Sequence, residues 1–131
     1  MPLQPEQILQ INVVNWFNYQ FPQYSEDFHH FANERRCSMQ QGVTLKKMGV
    51  KKGVADIFIG LACGGYHGLW IELKTEKGKL SKEQKEFIDR KNSRGYLALA
   101  IWGFDDAIDA IKNYLNSSTT NCFINKPKNC T

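Results

Sequence analysis

The sequence predicts an α/β domain in which a mixed β-sheet is flanked by α-helices. Helical and strand-like patterns alternate along the chain, and one strand pattern is apolar throughout, as in strands covered on both faces. The chain has 131 residues, of which 42% are hydrophobic, so it is long enough for one compact domain with a real core. We expect residues 1–115 to form this domain and the polar residues 116–131 to form a flexible C-terminal tail.

Capping residues and apolar periodicity predict three helices. Residues 5–19 form the first, with Glu6 in its first turn. Its apolar stripe is predicted to comprise Ile11, Val14, Phe17 and Phe21. Ser81 followed by Gln84 matches a capping box that opens the second helix, and residues 105–115 form the third.

Three segments are predicted to be strands: "VADIFIG" (54–60), "LWIELKT" (69–75) and "GYLALAIW" (95–102). The glycine-rich stretch between the first two reads as a hairpin connection. Residues 25–54 have no clean period. Within them, "FHHFANERR" is expected to form a short strand and turn, and "GVTLKKMGVKKGV" a short helix or turn.

The formal charge is +4, which is compatible with a polyanionic partner without establishing one. Six basic residues crowd into one segment that has a single nearby acid, Glu34: they are Arg35, Arg36, Lys46, Lys47, Lys51 and Lys52. The cysteines do not match zinc-site spacing. No signal peptide and no apolar run of about 20 residues is present, so we expect a cytoplasmic protein with reduced thiols and no membrane partner.

The stretch "WIELKT" places Glu72 and Lys74 on the same face of one strand, because side chains alternate between faces. An exposed ion pair would explain this pattern, and so would a catalytic site. Asp56 lies near the start of the preceding strand, and a hairpin can bring it close to Glu72. Two adjacent carboxylates favour a hard divalent cation, and Lys74 can position water or neutralise developing charge. The residues therefore suggest metal-assisted phosphodiester hydrolysis, although this pattern alone is a weak signal.

A family resemblance strengthens that interpretation. "NERR", "MGVKKGVADIFI", "IELKTEKGKLSKEQ" and the "GY" that opens the last strand together resemble the VRR-NUC (virus-type replication-repair nuclease) domain of the PD-(D/E)XK superfamily, over roughly residues 5–115. The resemblance implies a restriction-endonuclease-like core. Ala55 stands where the superfamily has proline, which supplies no side-chain chemistry.

The resemblance also implies roles for individual residues. Asp56, Glu72 and the backbone carbonyl of Leu73 correspond to ligands of Mg²⁺ or Mn²⁺, and Lys74 corresponds to the catalytic lysine. Gln84 corresponds to a glutamine that faces the site, a role that competes with its capping role. Both roles can hold at once, but one side chain is not expected to satisfy both fully. Glu6 corresponds to a supporting acid, although a simple partner of the helix dipole is an equal alternative.

Seven residues are candidates for DNA binding. The resemblance implies this for His30, Asn33 and Arg35, which stand where the family has a polar strand motif near the substrate. The basic segment adds Lys46, Lys47, Lys51 and Lys52. The lysines lead directly into Asp56 and would grip phosphates without reading sequence. A solvated loop is the alternative for each lysine. For His30, a proton shuttle, a phosphate contact and a structural histidine all remain open.

The function that the resemblance implies is a metal-dependent DNA endonuclease of replication and repair. Stand-alone members of the family occur in phages and bacteria, so action inside a bacterial host is one expected setting. The resemblance to these stand-alone members implies a homodimer that acts on branched DNA such as four-way (Holliday) junctions. Two alternatives stay open: a flap or duplex nuclease within a replication or repair complex, and a non-catalytic DNA-binding module. The intact Asp56, Glu72 and Lys74 argue against the binding module.

Overall fold

The computed structural model describes residues 2–32 and 39–117, and a four-stranded sheet forms its centre. In spatial order the strands are β1 (Phe28–His30), β2 (Ile57–Ile59), β3 (Leu69–Lys74) and β4 (Leu97–Trp102). Strand β2 is antiparallel to both β1 and β3, whereas β4 runs parallel to β3. The predicted mixed sheet is therefore confirmed.

The helices are α1 (Pro5–Gln20), α2 (Met39–Lys47), α3 (Lys82–Ser93) and α4 (Phe104–Asn116), with a 3₁₀ helix at Pro22–Asp27. They alternate with the strands in the predicted order. The short helix α2 covers the start of the segment that was expected to be a helix or a turn. No helix in the described part of the chain is long and apolar enough to cross a membrane. Residues 118–131, most of the expected tail, lie outside the described residues.

The two faces of the sheet have different chemistry. One face is fully apolar, and its side chains are completely buried against α1 and α4: Ile57, Ile59, Leu69 and Ile71. The opposite face carries Phe58, Trp70 and Glu72, and α3 covers it with Phe87, whose ring lies 4.9 Å from that of Trp70. Because side chains alternate along each strand, one strand supplies both the core and a second, mixed face.

The apolar stripe predicted for α1 was only partly correct. Ile11 is 43% exposed, whereas Val13 and Phe17 are completely buried. The helix is apolar on more than one side, so its periodicity alone cannot tell which side faces the sheet. The packing of Phe17 against Phe28, with ring centroids 4.7 Å apart, orients the helix.

Tyr114 of α4 anchors the connection between β2 and β3. Its hydroxyl donates a hydrogen bond to the carbonyl of Leu61 (2.6 Å) and accepts one from the backbone N–H of Cys63 (3.3 Å). Both bonds are at least partly buried, which makes them stronger and more costly to break than exposed ones. This anchor fixes the hairpin that brings β2 into register with β3.

Candidate active site

The strand register brings Asp56 and Glu72 together. Ile57 pairs with Ile71, so Asp56 and Glu72 are the next residues along the two antiparallel strands, on the face covered by α3. The carboxylate of Asp56 points towards β3, and its Oδ2 accepts a hydrogen bond from the backbone N–H of Leu73 at 2.9 Å. The hairpin expected from the sequence thus places the two acids side by side.

Glu72 is buried rather than solvated. Only 2% of its surface is exposed, so an exposed ion pair does not explain "WIELKT". Its Oε2 is 3.1 Å from Nε2 of Gln84, which donates a hydrogen bond, and 3.5 Å from Nζ of Lys74. Its Oε1 is also buried and has no hydrogen-bond partner in the described structure. A buried carboxylate oxygen without a partner is rare and calls for an unseen ligand or a functional role.

Gln84 performs both of the roles that seemed to compete. Its Oε1 accepts a hydrogen bond from the backbone N–H of Ser81 at 2.8 Å, which completes the capping box at the start of α3. Its Nε2 donates to Glu72. An amide side chain has separate acceptor and donor ends, so one residue satisfies the helix cap and the site together. The expectation that one side chain could not fully satisfy both roles was wrong.

The loop after β3 encloses Lys74. A Cβ added to Gly78 would lie 3.2 Å from Cδ and 3.3 Å from Cβ of Lys74, so the loop backbone rests against the lysine stem. The indole N–H of Trp102 donates to the carbonyl of Gly78 at 2.7 Å and holds the loop there. The Lys74 side chain is only 12% exposed as a result. Its ammonium group is therefore directed at Glu72.

The electrostatics of Glu72 differ from those of an ordinary surface acid. Burial, and after it the neighbouring Asp56 carboxylate, raise its pKa from 4.5 to about 7, although the ammonium of Lys74 acts in the opposite direction. Near neutral pH, burial and the repulsion between the two carboxylates therefore leave Glu72 of the metal-free site partly protonated. A divalent cation between the two carboxylates would remove this repulsion.

The VRR-NUC domain model matches residues 3–103 of the chain, which include all of these residues. The chain belongs to the VRR-NUC family. A solved structure described as a VRR_NUC domain protein is similar over 89% of this chain and 93% of its own, with 30% sequence identity and a TM-score of 0.77. No curated protein matches the sequence. Family membership implies a nuclease-type function with DNA as the substrate.

The donor set of this VRR-NUC site fits a hard divalent metal. Asp56 and Glu72 offer carboxylate oxygens, and one of these, Oε1 of Glu72, is buried without a partner. The described residues contain no cluster of three or more His, Cys, Asp or Glu side chains. Mg²⁺ commonly binds one or two carboxylates and completes its shell with water and substrate phosphate, so two acids are sufficient. The role of the Leu73 carbonyl as a further ligand stays a prediction.

Within the described residues, neither Glu6 nor His30 forms a hydrogen bond or an ion pair with the acidic pair. Glu6 is exposed in the first turn of α1, which packs on the apolar face, and no hydrogen bond or ion pair within the described residues joins it to Asp56 or Glu72. His30 pairs with Ile57, so strand alternation directs it to the apolar face as well, where it is exposed at the sheet edge. The roles of Glu6 as a supporting acid and of His30 as a DNA contact stay predictions.

The basic candidates fall into two groups. The four lysines are exposed, at the end of α2 and in the segment that leads to Asp56: Lys46, Lys47, Lys51 and Lys52. Their placement suits contacts with phosphates, and their role stays a prediction. Asn33 and Arg35 lie outside the described residues.

The sequence patterns do not identify Phe31, Gly78 or Trp102 as site residues. Trp102 is 39% exposed, lies opposite Lys74 in the register of β3 and β4, and holds the loop at Gly78. The sequence signal for this loop was the glycine in "EKGKLS", directly between Lys74 and the cap of α3. Phe31 lies beside Asp56, and its position depends on a three-residue strand that carries no periodic signal.

Proposed function

We propose that this VRR-NUC protein is a DNA endonuclease that depends on Mg²⁺ or Mn²⁺ and is selective for branched DNA such as four-way junctions. The main support is the buried carboxylate of Glu72, which lies beside Asp56, within 3.5 Å of the Lys74 ammonium, and retains one oxygen without a partner. A purely structural acid at this depth would have both oxygens bonded. Selectivity for branches rests on the likeness to stand-alone members of the family.

Asp56 and Glu72 would hold the metal, which supplies Lewis-acid stabilisation of negative charge on the scissile phosphate. The backbone bond from Leu73 fixes the orientation of Asp56, and Gln84 does the same for Glu72. Lys74 orients the attacking water and neutralises charge that develops on the phosphate. The lysine needs little reorganisation for this role, because the loop at Gly78 already confines its stem.

The exposed lysines before Asp56 would bind the phosphates that flank the cleavage position. No acidic residue occurs between Lys46 and Ala55, so this segment presents positive charge without local compensation. We also propose a homodimer, in which two sites related by a twofold axis suit a symmetric junction. Several apolar residues of α2 and the turn after it are exposed and available for a subunit contact: Met39 (87%), Val43 (50%) and Met48 (73%).

The direct test is metal-dependent cleavage of a labelled four-way junction by the native protein and by Lys74→Ala. We expect the native protein to cut only with Mg²⁺ or Mn²⁺, and Lys74→Ala to cut at least about a hundredfold more slowly, because the charge that stabilises the transition state is gone. Flap and plain duplex DNA of the same sequence measure selectivity.

Lys77, an exposed lysine in the loop after β3, provides a matched control. Lys77→Ala removes the same charge at a distance from Glu72 and should cut at close to the native rate. A native protein that binds the junction and cuts no DNA form with either metal would indicate a non-catalytic binding module. Equal cutting of flap, duplex and junction would contradict branch selectivity while leaving nuclease activity intact.

A further inference from the structure

An aromatic ring lies directly beside the acidic pair. The backbone N–H of Phe31 donates to the carbonyl of Asp56 at 2.7 Å, which extends the pairing of β1 with β2 by one residue. Residues paired in this way project their side chains to the same face of the sheet. Phe31 therefore shares a face with Asp56, and its ring lies 5.7 Å from that of Trp70 on the same face.

Other rings support Phe31 from behind. Trp70 lies at 27° to Phe31 in a stacked arrangement, and its own ring is held by Phe58 at 4.4 Å and Phe87 at 4.9 Å. Phe31 is the most exposed member of this aromatic stack (Phe31, Trp70 and Phe58), with 39% of its surface accessible. A ring fixed in this way has little rotamer freedom left to lose when a ligand packs on it.

We propose that Phe31 is a stacking platform for a nucleobase that has left the duplex stack beside the scissile phosphate. The proposal rests on the nuclease function, since the acidic pair is what places a phosphate next to Phe31. A base in an intact duplex has both faces covered by its neighbours, whereas an unpaired base offers a free face. The preferred substrate therefore carries unpaired or unstacked nucleotides at the cleavage position.

Stacking of a base on an aromatic side chain strengthens binding by roughly five- to a hundredfold. Phe31 would thus make the protein bind locally distorted DNA more tightly than paired DNA, without recognising the sequence. The lysines do not supply this discrimination, because phosphate contacts are the same for paired and distorted DNA. Selectivity for branched DNA then has a physical origin in one side chain.

The test uses the full chain with the Lys74→Ala substitution, in Mg²⁺, so that bound DNA stays intact. Duplexes that carry two unpaired nucleotides are compared with fully paired duplexes of the same sequence, with 5-iodouracil placed at successive positions. Irradiation crosslinks 5-iodouracil to an aromatic ring in contact with it. We expect one position of the unpaired substrate to crosslink to Phe31 and the paired duplex to give no such product.

Binding constants give a second readout. Phe31→Ala should weaken binding to the unpaired substrate by about tenfold and to the paired duplex by less than threefold, and Phe31→Trp should restore binding. Tyr19→Ala is the matched control, since Tyr19 is an exposed aromatic at the end of α1. Equal weakening on both substrates, or crosslinking to residues other than Phe31, would overturn the platform.

The outcomes separate the platform from the nuclease function. If the native protein cuts DNA but shows neither the crosslink nor the difference in affinity, the platform is wrong and the nuclease function stands. If the crosslink and the difference are found but native protein cuts no DNA, the platform is correct and the protein binds distorted DNA without cleaving it. If Phe31→Ala fails to fold, the crosslinking experiment still tests the platform, because it uses protein that retains Phe31.

Discussion

Glu72→Gln is expected to abolish cleavage and, at the same time, to stabilise the metal-free protein above neutral pH. The amide keeps the shape of the carboxylate but cannot carry the negative charge that a metal requires, so we expect cleavage to fall about a thousandfold or more. The same substitution removes a buried charge that lies beside Asp56. Activity and stability therefore change in opposite directions at one position.

The pH dependence of stability follows from the raised pKa of Glu72. Burial and the Asp56 carboxylate raise this pKa from 4.5 to about 7 in the folded protein, so the folded state binds the proton more tightly than the unfolded state does. The metal-free native protein should thus lose stability as the pH rises from about 4.5 to 7. The full shift corresponds to on the order of 3 kcal/mol.

Urea unfolding in EDTA at a series of pH values measures this effect. We expect native protein and Glu72→Gln to have similar free energies of unfolding near pH 4, and the variant to be more stable by on the order of 2 kcal/mol at pH 8. Glu76→Gln, which alters an exposed acid in the following loop, should show no such gain. If the variant is less stable than the native protein at pH 8, burial of the charged Glu72 carboxylate does not destabilise the folded state.

Added metal should remove the difference. Mg²⁺ or Mn²⁺ binds the paired carboxylates of the folded native protein and stabilises it by mass action, whereas the variant has lost one ligand. Addition of either ion at pH 8 is therefore expected to raise the free energy of unfolding of the native protein more than that of Glu72→Gln. This readout of metal binding does not require a DNA substrate.

The parts of the site that could be predicted from the sequence depend on local rules. Strand alternation places Glu72 and Lys74 on one face, and a hairpin brings Asp56 beside them. The capping box at Ser81 is equally local, because it is set by two residues three positions apart. Each of these features needs only the conformation of a short segment.

The remaining features depend on contacts between distant segments. The burial of Glu72 requires α3 to pack on the sheet and to direct Gln84 inward. The position of Phe31 requires the register of β1 against β2, and that strand is too short for a periodic signal. The exposed Ile11 has the same cause, since α1 is oriented by tertiary contacts of Phe17. Only for Gln84 did the resemblance to a family supply what periodicity could not.

Gly53→Ala is expected to destabilise the protein severely, because two effects coincide at this glycine. Its φ angle is +83°, a conformation that is strained for residues with a side chain. A Cβ at this position would also lie 2.6 Å from the carbonyl carbon and oxygen of Glu83, in the first turn of α3. Backbone atoms cannot rotate away as a side chain can, so the helix itself would have to move.

We expect Gly53→Ala to lose about 3 kcal/mol, of which roughly 1 kcal/mol comes from the backbone conformation and the rest from the contact. Thermal unfolding would show this as a fall in Tm of about 10 °C or more for a domain of this size. Gly49→Ala is a matched control: its φ is +94°, but a Cβ there would meet nothing within 4 Å. It should lose only about 1 kcal/mol.

The same substitution should impair the site, because Gln84 follows Glu83 and bonds Glu72. Folded Gly53→Ala, assayed well below its Tm, is expected to cut DNA more slowly than Gly49→Ala under the same conditions. If the two variants lose equal stability and equal activity, the close approach of residue 53 to Glu83 has no energetic consequence. Glycine is then needed at position 53 only for its backbone conformation. If Gly53→Ala loses more of both, the start of α3 is held against the segment leading to Asp56 through this one glycine.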